Sequence, residues 1–166
     1  MQNRKSIVAV VLAAVTLSSP LFGYAADDKA VEQALAKARS VGDNRKAVQI
    51  LTQAIAESPD AAELYLTRSH YNDLAAKPKE ALDDANKYVQ MRPDDYEGYT
   101  NRAKVYAADE KWDSALADAN KAVELSPKEP DVYFARSDIY REMGKKAEAA
   151  ADDKKANELL KKLTGN

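Results

Sequence analysis

A block of thirteen residues occurs twice in this sequence, at a separation of 34 positions. ALDDANKYVQMRP runs from Ala81 to Pro93, ALADANKAVELSP runs from Ala115 to Pro127, and eight of the thirteen positions are identical. A fixed period of this length is typical of chains that stack copies of one supersecondary unit. The duplication therefore predicts a repeat architecture, in which each copy buries the apolar face of its neighbour.

The same period relates residues throughout most of the chain. Five sets of residues share this period. A single set would be weak evidence, but five sets in one register indicate four copies of one unit. The sets are Pro59, Pro93 and Pro127; Tyr65, Tyr99 and Tyr133; Arg68, Arg102 and Arg136; Ala47, Ala81, Ala115 and Ala149; and Asp84, Asp118 and Asp152.

Each unit is predicted to contain two helices. In the third unit, apolar or small residues recur at helical spacing on both sides of a short polar break at residues 109–111. Gly42 and Gly144 occupy the equivalent break in two other units, where the end of a helix favours a residue that tolerates left-handed geometry. The proline that closes a unit ends its second helix.

The units resemble the tetratricopeptide repeat, a 34-residue helix–turn–helix motif with an aromatic residue, a small residue, a Tyr, a later Ala and a final Pro. The resemblance implies an all-α fold, an α-solenoid of about four tetratricopeptide-type helix pairs. The matching residues are Tyr99, Ala103, Tyr106, Ala115, Ala119, Ala122 and Pro127 in the third unit, Tyr133, Ser137, Tyr140, Gly144, Ala149 and Ala156 in the fourth, and Tyr65, Ser69, Ala81, Ala85 and Pro93 in the second.

Two units depart from the motif. The second has Asn72 where Tyr is usual and Tyr88 where Ala is usual. We expect these two residues to compensate for each other in volume inside one repeat. The first unit has only Val31 at the aromatic position, so we interpret it as a degenerate repeat.

The beginning of the sequence has the composition of a secretory signal peptide. Arg4 and Lys5 precede an apolar run over residues 6–17, and small residues follow up to Ala25. The run is shorter than the roughly 20 residues that a membrane-spanning helix needs, which favours cleavage over an uncleaved membrane anchor. We therefore expect a protein that is exported, to the periplasm of a Gram-negative bacterium or otherwise by secretion, with no stable membrane insertion after cleavage.

Cleavage after Ala25 has a direct test. The intact mass of protein recovered from the exported fraction is expected to correspond to a chain that begins at Ala26. A mass that includes residues 1–25 would contradict the prediction.

The predicted domain organisation follows from these observations. A signal peptide covers residues 1–25, and a tetratricopeptide repeat domain covers residues 26–166. Within the domain we predict a degenerate repeat at 28–61 and repeats at 62–95, 96–129 and 130–163. The last helix is expected to cap the stack, because Asp153 and Asn157 replace Ala and Val at positions that face a following repeat in the earlier units.

Composition excludes several functional classes. Removal of residues 1–25 takes away two basic residues and no acidic ones, leaving 23 basic and 27 acidic residues and a net charge of −4. This balance predicts no nucleic-acid binding. There is no Cys, and His70 is the only His, so we predict no metal site, no nucleophile–base pair and no cofactor. With no candidate catalytic residues, the chain is not expected to be an enzyme.

The shared period of the charged residues has a structural interpretation. Each repeated Arg precedes an Asp by sixteen positions, which favours ion pairs between the two helices of a unit over a basic ladder for anions. Exposed pairs of this kind contribute at most about 1 kcal/mol each. The repeated tyrosines are interpreted as packing residues. Adjacent acids such as Asp94–Asp95 are interpreted as helix caps and solvated surface, because successive helical side chains diverge by about 100°.

The resemblance also implies a binding surface, since the first helix of each tetratricopeptide repeat lines a concave groove. Residues expected to face inward include Ala107 and Ala135. The charged residues among these positions, two basic and six acidic, sum to −4, which favours a neutral or basic ligand. The candidate peptide-binding residues are Leu66, Thr67, His70, Thr100, Asn101, Lys104, Phe134, Asp138 and Arg141.

Some members of the family hold the acidic C-terminal tails of heat-shock chaperones with Lys, Asn and Arg at fixed positions. Asn101 matches one of these positions, whereas Leu66, His70, Asp131 and Ala135 occupy the others. That ligand class is therefore not expected here. The leading hypothesis is an adaptor that binds a protein or peptide segment in the groove. The alternative is a structural subunit that assembles with itself or with a fixed envelope complex, through an outer face or an end repeat.

Overall fold

The computed structural model describes residues 24–164, which form eight α-helices and contain no strand. The predicted signal peptide lies outside the described residues, apart from Tyr24 and Ala25 at the start of the first helix. The prediction of an all-α solenoid is confirmed. The helices are α1 (Tyr24–Ser40), α2 (Asn44–Glu57), α3 (Ala62–Leu74), α4 (Pro78–Met91), α5 (Tyr96–Ala108), α6 (Trp112–Leu125), α7 (Pro130–Glu142) and α8 (Lys146–Thr164).

The helices stack in chain order. Each helix packs against the next, and the first helices of successive pairs also contact each other: α1 with α3, α3 with α5, and α5 with α7. Among the described residues, the second helices of successive pairs do not contact one another. The first helices therefore lie on the inner side of the curve, and the second helices are spread apart on the outer side.

Four residues in the same register close the turns inside the pairs. Gly42, Ala76, Glu110 and Gly144 all have positive φ, between 54° and 75°. The turn is sealed by a backbone bond such as that from the Lys111 N–H to the Tyr106 carbonyl, at 2.9 Å. The predicted role of the two glycines is confirmed. The other two turns adopt the same geometry with side chains present, at a local cost of about 1 kcal/mol each.

The core consists mainly of alanines at the contacts between helices. Ala103, Ala115 and Ala119 are fully or almost fully buried in a cluster with Ile139. Trp112 packs against this cluster, as expected for a structural aromatic residue. Small side chains let the helix axes approach closely, so the stacking is tight.

The predicted Arg–Asp pairs form in all three repeats where they were expected. In each, the Arg Nε and Nη2 atoms donate to the two oxygens of the Asp, at 2.7–2.9 Å. The three carboxylates, Asp84, Asp118 and Asp152, are buried. They are therefore not exposed pairs, and removal of one partner would leave an uncompensated buried charge.

Each of these arginines also reaches the preceding repeat. Its Nη1 atom donates to Thr52, Asn86 or Asn120, sixteen residues earlier, at 2.8–3.1 Å. Its guanidinium lies 5.6–5.9 Å from the ring centre of Tyr65, Tyr99 or Tyr133. One Arg therefore links the second helix of its own pair to the second helix of the pair before it.

The three tyrosines fix the end of the preceding unit. Their hydroxyl groups donate to the carbonyl oxygens of Pro59, Pro93 and Pro127, at 3.0–3.1 Å. The prediction that these rings serve packing is confirmed. The N-cap predicted at Asp94–Asp95 is also present, since the Asp95 carboxylate accepts the Glu97 N–H at 2.9 Å.

The expected exchange of volume between Asn72 and Tyr88 is wrong, because Tyr88 is accommodated by a different residue. Gly98, in the next repeat, lies so close to Tyr88 that an added Cβ would be 2.6 Å from the Tyr88 ring. The buried Tyr88 hydroxyl donates to Asp95 at 2.6 Å. Asn72 instead donates to Asp84 at 3.1 Å. The residue that compensates for the volume of Tyr88 therefore lies on α5, across the junction between α4 and α5.

The last helix is polar at two positions where α4 and α6 have a buried Ala and a half-buried Val. Asn157 is exposed, and its side chain donates to its own backbone at the Asp153 carbonyl. The Asp153 carboxylate accepts hydrogen bonds from Ser137 and Arg141. In the described residues, this face of α8 is thus covered by polar side chains.

Candidate functional site

The inner side of the solenoid contains a cavity of about 710 Å³. Side chains from the first helices of all four pairs contribute to its wall, because those helices lie side by side. The cavity is centred on α3 and α5. Its lining residues are Arg39, Leu66, Thr67, His70, Tyr71, Tyr96, Glu97, Thr100, Asn101, Lys104 and Asp131.

Six of the nine candidate binding residues meet in this cavity. They come from the second and third repeats and are Leu66, Thr67, His70, Thr100, Asn101 and Lys104. The three candidates from the fourth repeat lie elsewhere. Phe134 packs against a core cluster around Ala122, and Asp138 and Arg141 pair with each other at the surface.

Two positions expected to face inward are instead buried. Ala107 belongs to the core cluster with Ile139, and Ala135 is 4% exposed. Both alanines lie where adjacent first helices meet. The register of a single helix does not reveal this contact, so the two residues were assigned to the wrong face. The expectation that they contribute to the groove is wrong.

Of the five other lining residues, Glu97 and Asp131 were among the positions expected to face inward, and three were missed from the sequence. Arg39 lies in the last turn of α1, in the first unit, for which no inward-facing positions were predicted. Tyr71 and Tyr96 are half-buried aromatic residues at positions where other repeats have different residue types. The one sequence signal for these two residues was an aromatic side chain on a first helix at a position where the motif has none.

The charges of the cavity are balanced. Arg39 and Lys104 offset Glu97 and Asp131, so the lining sums to zero with His70 neutral. The expected net charge of −4 was summed over a wider set of inward-facing positions, so it does not describe this cavity. Burial raises the pKa of Glu97, and the neighbouring carboxylates of Asp95 and Asp131 raise it further. A donor or cation is therefore favoured at this end, and an acceptor is favoured near Lys104.

Asn101 has a structural bond within the wall. Its side-chain amide donates to the Ser69 hydroxyl at 2.7 Å, and that hydroxyl donates to the Ala81 carbonyl at 2.8 Å. The Thr100 hydroxyl oxygen is buried without a hydrogen-bond partner among the described residues. His70 and Lys104 are exposed, as are the other charged lining residues, Arg39, Glu97 and Asp131.

The wall of the cavity combines aliphatic, aromatic, amide and hydroxyl groups with charges at separate positions. Within residues 24–164, no cluster of His, Cys, Asp and Glu has an arrangement that would hold a metal ion.

Comparison with known families identifies the chain. The model of the ChAPs (Chs5p-Arf1p-binding proteins) matches residues 25–142. The chain belongs to the ChAPs family. A tetratricopeptide repeat model matches residues 130–159 of this ChAPs-family chain, so the resemblance to tetratricopeptide repeat proteins is confirmed. No curated protein matches the sequence.

Solved structures share the architecture of this ChAPs-family protein. A crystal structure of MamA has a TM-score of 0.68 at 22% identity and covers 85% of this chain and 84% of its own. A second MamA structure, from MSR-1, has a TM-score of 0.64 at 23% identity and covers 82% and 78%. A thermophilic tetratricopeptide repeat protein from Thermus thermophilus, TTC0263, has a TM-score of 0.71 at 18% identity and covers 80% and 74%. At these identities the likeness establishes the fold.

Proteins built from tetratricopeptide repeats are generally non-catalytic scaffolds for protein–protein interaction, and this chain has that scaffold. Within the described part of the chain, no helix is both long enough and apolar enough to cross a bilayer.

Proposed function

We propose that this protein is an exported adaptor that binds an extended peptide or protein segment in the inner cavity. The observation that carries the proposal is the convergence of six candidate residues from α3 and α5 around one cavity of about 710 Å³. Cavities of several hundred Å³ with a few polar groups among apolar ones are typical ligand sites. The export part of the proposal is supported by the order of residues 1–25.

The lining suggests what the segment contains. Leu66, Tyr71 and Tyr96 offer apolar contact, while the charges stand at separate positions of the wall. A segment with one or two apolar side chains and no large net charge matches this balance better than a strongly acidic or basic one. The ChAPs family is named for binding Chs5p and Arf1p. For this chain we carry over only the expectation of a protein partner.

A peptide array is the direct test. Short capped peptides of graded net charge and apolar content are probed with the repeat domain, and hits are measured by fluorescence anisotropy. Leu66→Ser is expected to weaken the hits about tenfold, because loss of one apolar contact removes about 1.5 kcal/mol. Lys104→Ala is expected to weaken peptides with an acidic residue more than neutral ones.

Lys87→Ala is the matched control, since Lys87 is an exposed Lys on a second helix, away from the cavity. It is expected to leave every hit unchanged. If Leu66→Ser and Lys104→Ala bind as the parent does, the proposed groove is wrong.

Self-association is the second candidate function, and one observation favours it. Leu160 and Leu163 are exposed on α8, near the end of the described chain. Exposed apolar side chains on a terminal helix can mediate assembly. If no peptide binds and the particle mass rises with concentration, the structural-subunit hypothesis becomes the leading one.

A further inference from the structure

A second cavity, of about 310 Å³, lies on the outer side of the solenoid in the second repeat. Its wall comes from α2, α3, α4 and the turn before α4, and Val48 is its apolar residue. The polar part of the wall consists of Thr52, Arg68, Asn72, Lys77, Glu80, Asp83 and Asp84. On α3, Arg68 and Asn72 are separated from the inner-cavity residue His70 by about 200° of helical rotation, so the two cavities open on opposite faces. The outer cavity occupies the gap between the spread second helices.

The corresponding place in the later repeats is associated with a tyrosine ring. Asn72 is equivalent to Tyr106 and Tyr140 in the 34-residue period. The guanidinium of Arg136 lies 5.9 Å from the ring centre of Tyr140 and 5.9 Å from that of Tyr133. Arg136, which is half-buried, thus lies near two rings, whereas Arg102 in the third repeat has, among the described residues, only the Tyr99 ring within this distance.

In the second repeat, one of these two rings is missing. Arg68 lies 5.9 Å from the ring centre of Tyr65, and among the described residues no second ring faces it. The Asn72 amide donates to Asp84 in place of the ring. A second aromatic residue is also replaced here, because Pro78 occupies the position equivalent to Trp112. Trp112 packs against the core of the third repeat.

The orientation of Arg68 is fixed independently of any ligand. It donates to both oxygens of Asp84, at 2.7 and 2.8 Å, and to the Thr52 hydroxyl at 3.1 Å. The same side chain lines the outer cavity. Because the electron-rich face of an aromatic ring attracts a cation, and a phenol ring does so more strongly than a saturated ring, the cavity has a chemical preference.

We propose that the outer cavity is a binding subsite for a tyrosine side chain of a partner protein, which takes the place that Tyr140 takes beside Arg136 in the last repeat. Val48 supplies apolar contact, and Arg68 supplies the cation–π partner. This subsite is separate from the inner cavity, so it provides a second contact surface on the opposite side of the scaffold.

The probe for this subsite is p-cresol, which is the side chain of tyrosine. Titration of the ¹⁵N-labelled repeat domain with p-cresol is expected to give saturable shifts of the amide signals of Val48, Thr52 and Asn72, with millimolar affinity. Cyclohexanol, of similar size, is expected to give shifts several times smaller at the same concentrations. Absence of saturable shifts at these residues, or equal shifts with cyclohexanol, would overturn the proposal.

Two variants fill the cavity from different helices. Asn72→Tyr restores the ring of the motif and is expected to abolish the p-cresol shifts and to raise the melting temperature by a few degrees. Val48→Phe fills the cavity from α2 and is expected to abolish the shifts even if Asn72→Tyr does not fold. Leu82→Phe, at the equivalent position one repeat later, is the matched control and is expected to leave the shifts unchanged. Persistence of the shifts in a folded filled variant would contradict the site.

The source of the ring is tested with N-acetyl-tyrosinamide, which carries the peptide groups on both sides of the side chain. It is expected to shift the same signals as p-cresol and to be displaced by it. If p-cresol binds but N-acetyl-tyrosinamide does not, the cavity takes free phenols, and the proposed protein side chain is wrong.

Discussion

Replacing Arg102 by Met is expected to lower the free energy of unfolding by about 3 kcal/mol, because breaking a buried ion pair leaves an uncompensated charge. Arg102 and Asp118 are joined by two hydrogen bonds of 2.7 and 2.9 Å, and Asp118 is 8% exposed. The same change removes the bond from Arg102 to Asn86 in the preceding repeat. Urea denaturation followed by circular dichroism measures the loss.

The controls separate a buried pair from an exposed one. Lys121 pairs with Glu124 at the surface at 2.8 Å, and Lys121→Met is expected to leave the denaturation midpoint nearly unchanged. The double variant Arg102→Met with Asp118→Leu is expected to recover most of the loss, because an apolar replacement leaves no unpaired charge. If Arg102→Met costs no more than Lys121→Met, the pair does not act as a buried one.

Replacing Tyr88 by Ala, or Gly98 by Val, is expected to destabilise the protein, whereas the two changes together are expected to cost clearly less than the sum of the two single changes. Tyr88→Ala leaves a cavity and costs about 3 kcal/mol. Gly98→Val forces a side chain into the Tyr88 ring and costs about 1–3 kcal/mol. The double variant reproduces the combination at the next junction, Ala122 with Val132, where both residues are buried.

The informative quantity is the coupling free energy from the double-mutant cycle. We expect about 3 kcal/mol of favourable coupling, near the upper end of the range for residues in contact. Denaturation midpoints of the four proteins give this value directly. Costs that simply add would show that Tyr88 and Gly98 do not share one packing site.

The sequence was sufficient for the fold because the stacking contacts repeat. A position that packs in one unit packs in the next, so the tyrosines, arginines and alanines could be assigned from the period alone. The turns were predicted in part. Gly42 and Gly144 indicate left-handed geometry, but Ala76 and Glu110 adopt the same geometry, in turns closed by the backbone bonds from Lys77 to Asn72 and from Lys111 to Tyr106.

The candidate site was harder to predict because it depends on how neighbouring units are placed. Leu66, His70 and Lys104 follow from the face of a single helix. Ala107 and Ala135 share that face but become buried where adjacent first helices touch, which no single helix reveals. Tyr88 was misassigned for the same reason, since the residue that makes room for it, Gly98, belongs to the next repeat.

The Tyr88–Gly98 contact has a consequence for the order in which the units can be joined. Each repeated Arg bonds to a residue sixteen positions before it and to one sixteen positions after it. These bonds would therefore re-form if a whole unit were inserted or deleted. Deletion of residues 96–129, however, would place Tyr88 opposite Val132, where the required space is absent. A recombination event at this junction must therefore change both residues at once. The contact thus specifies which unit can follow the second one in the chain.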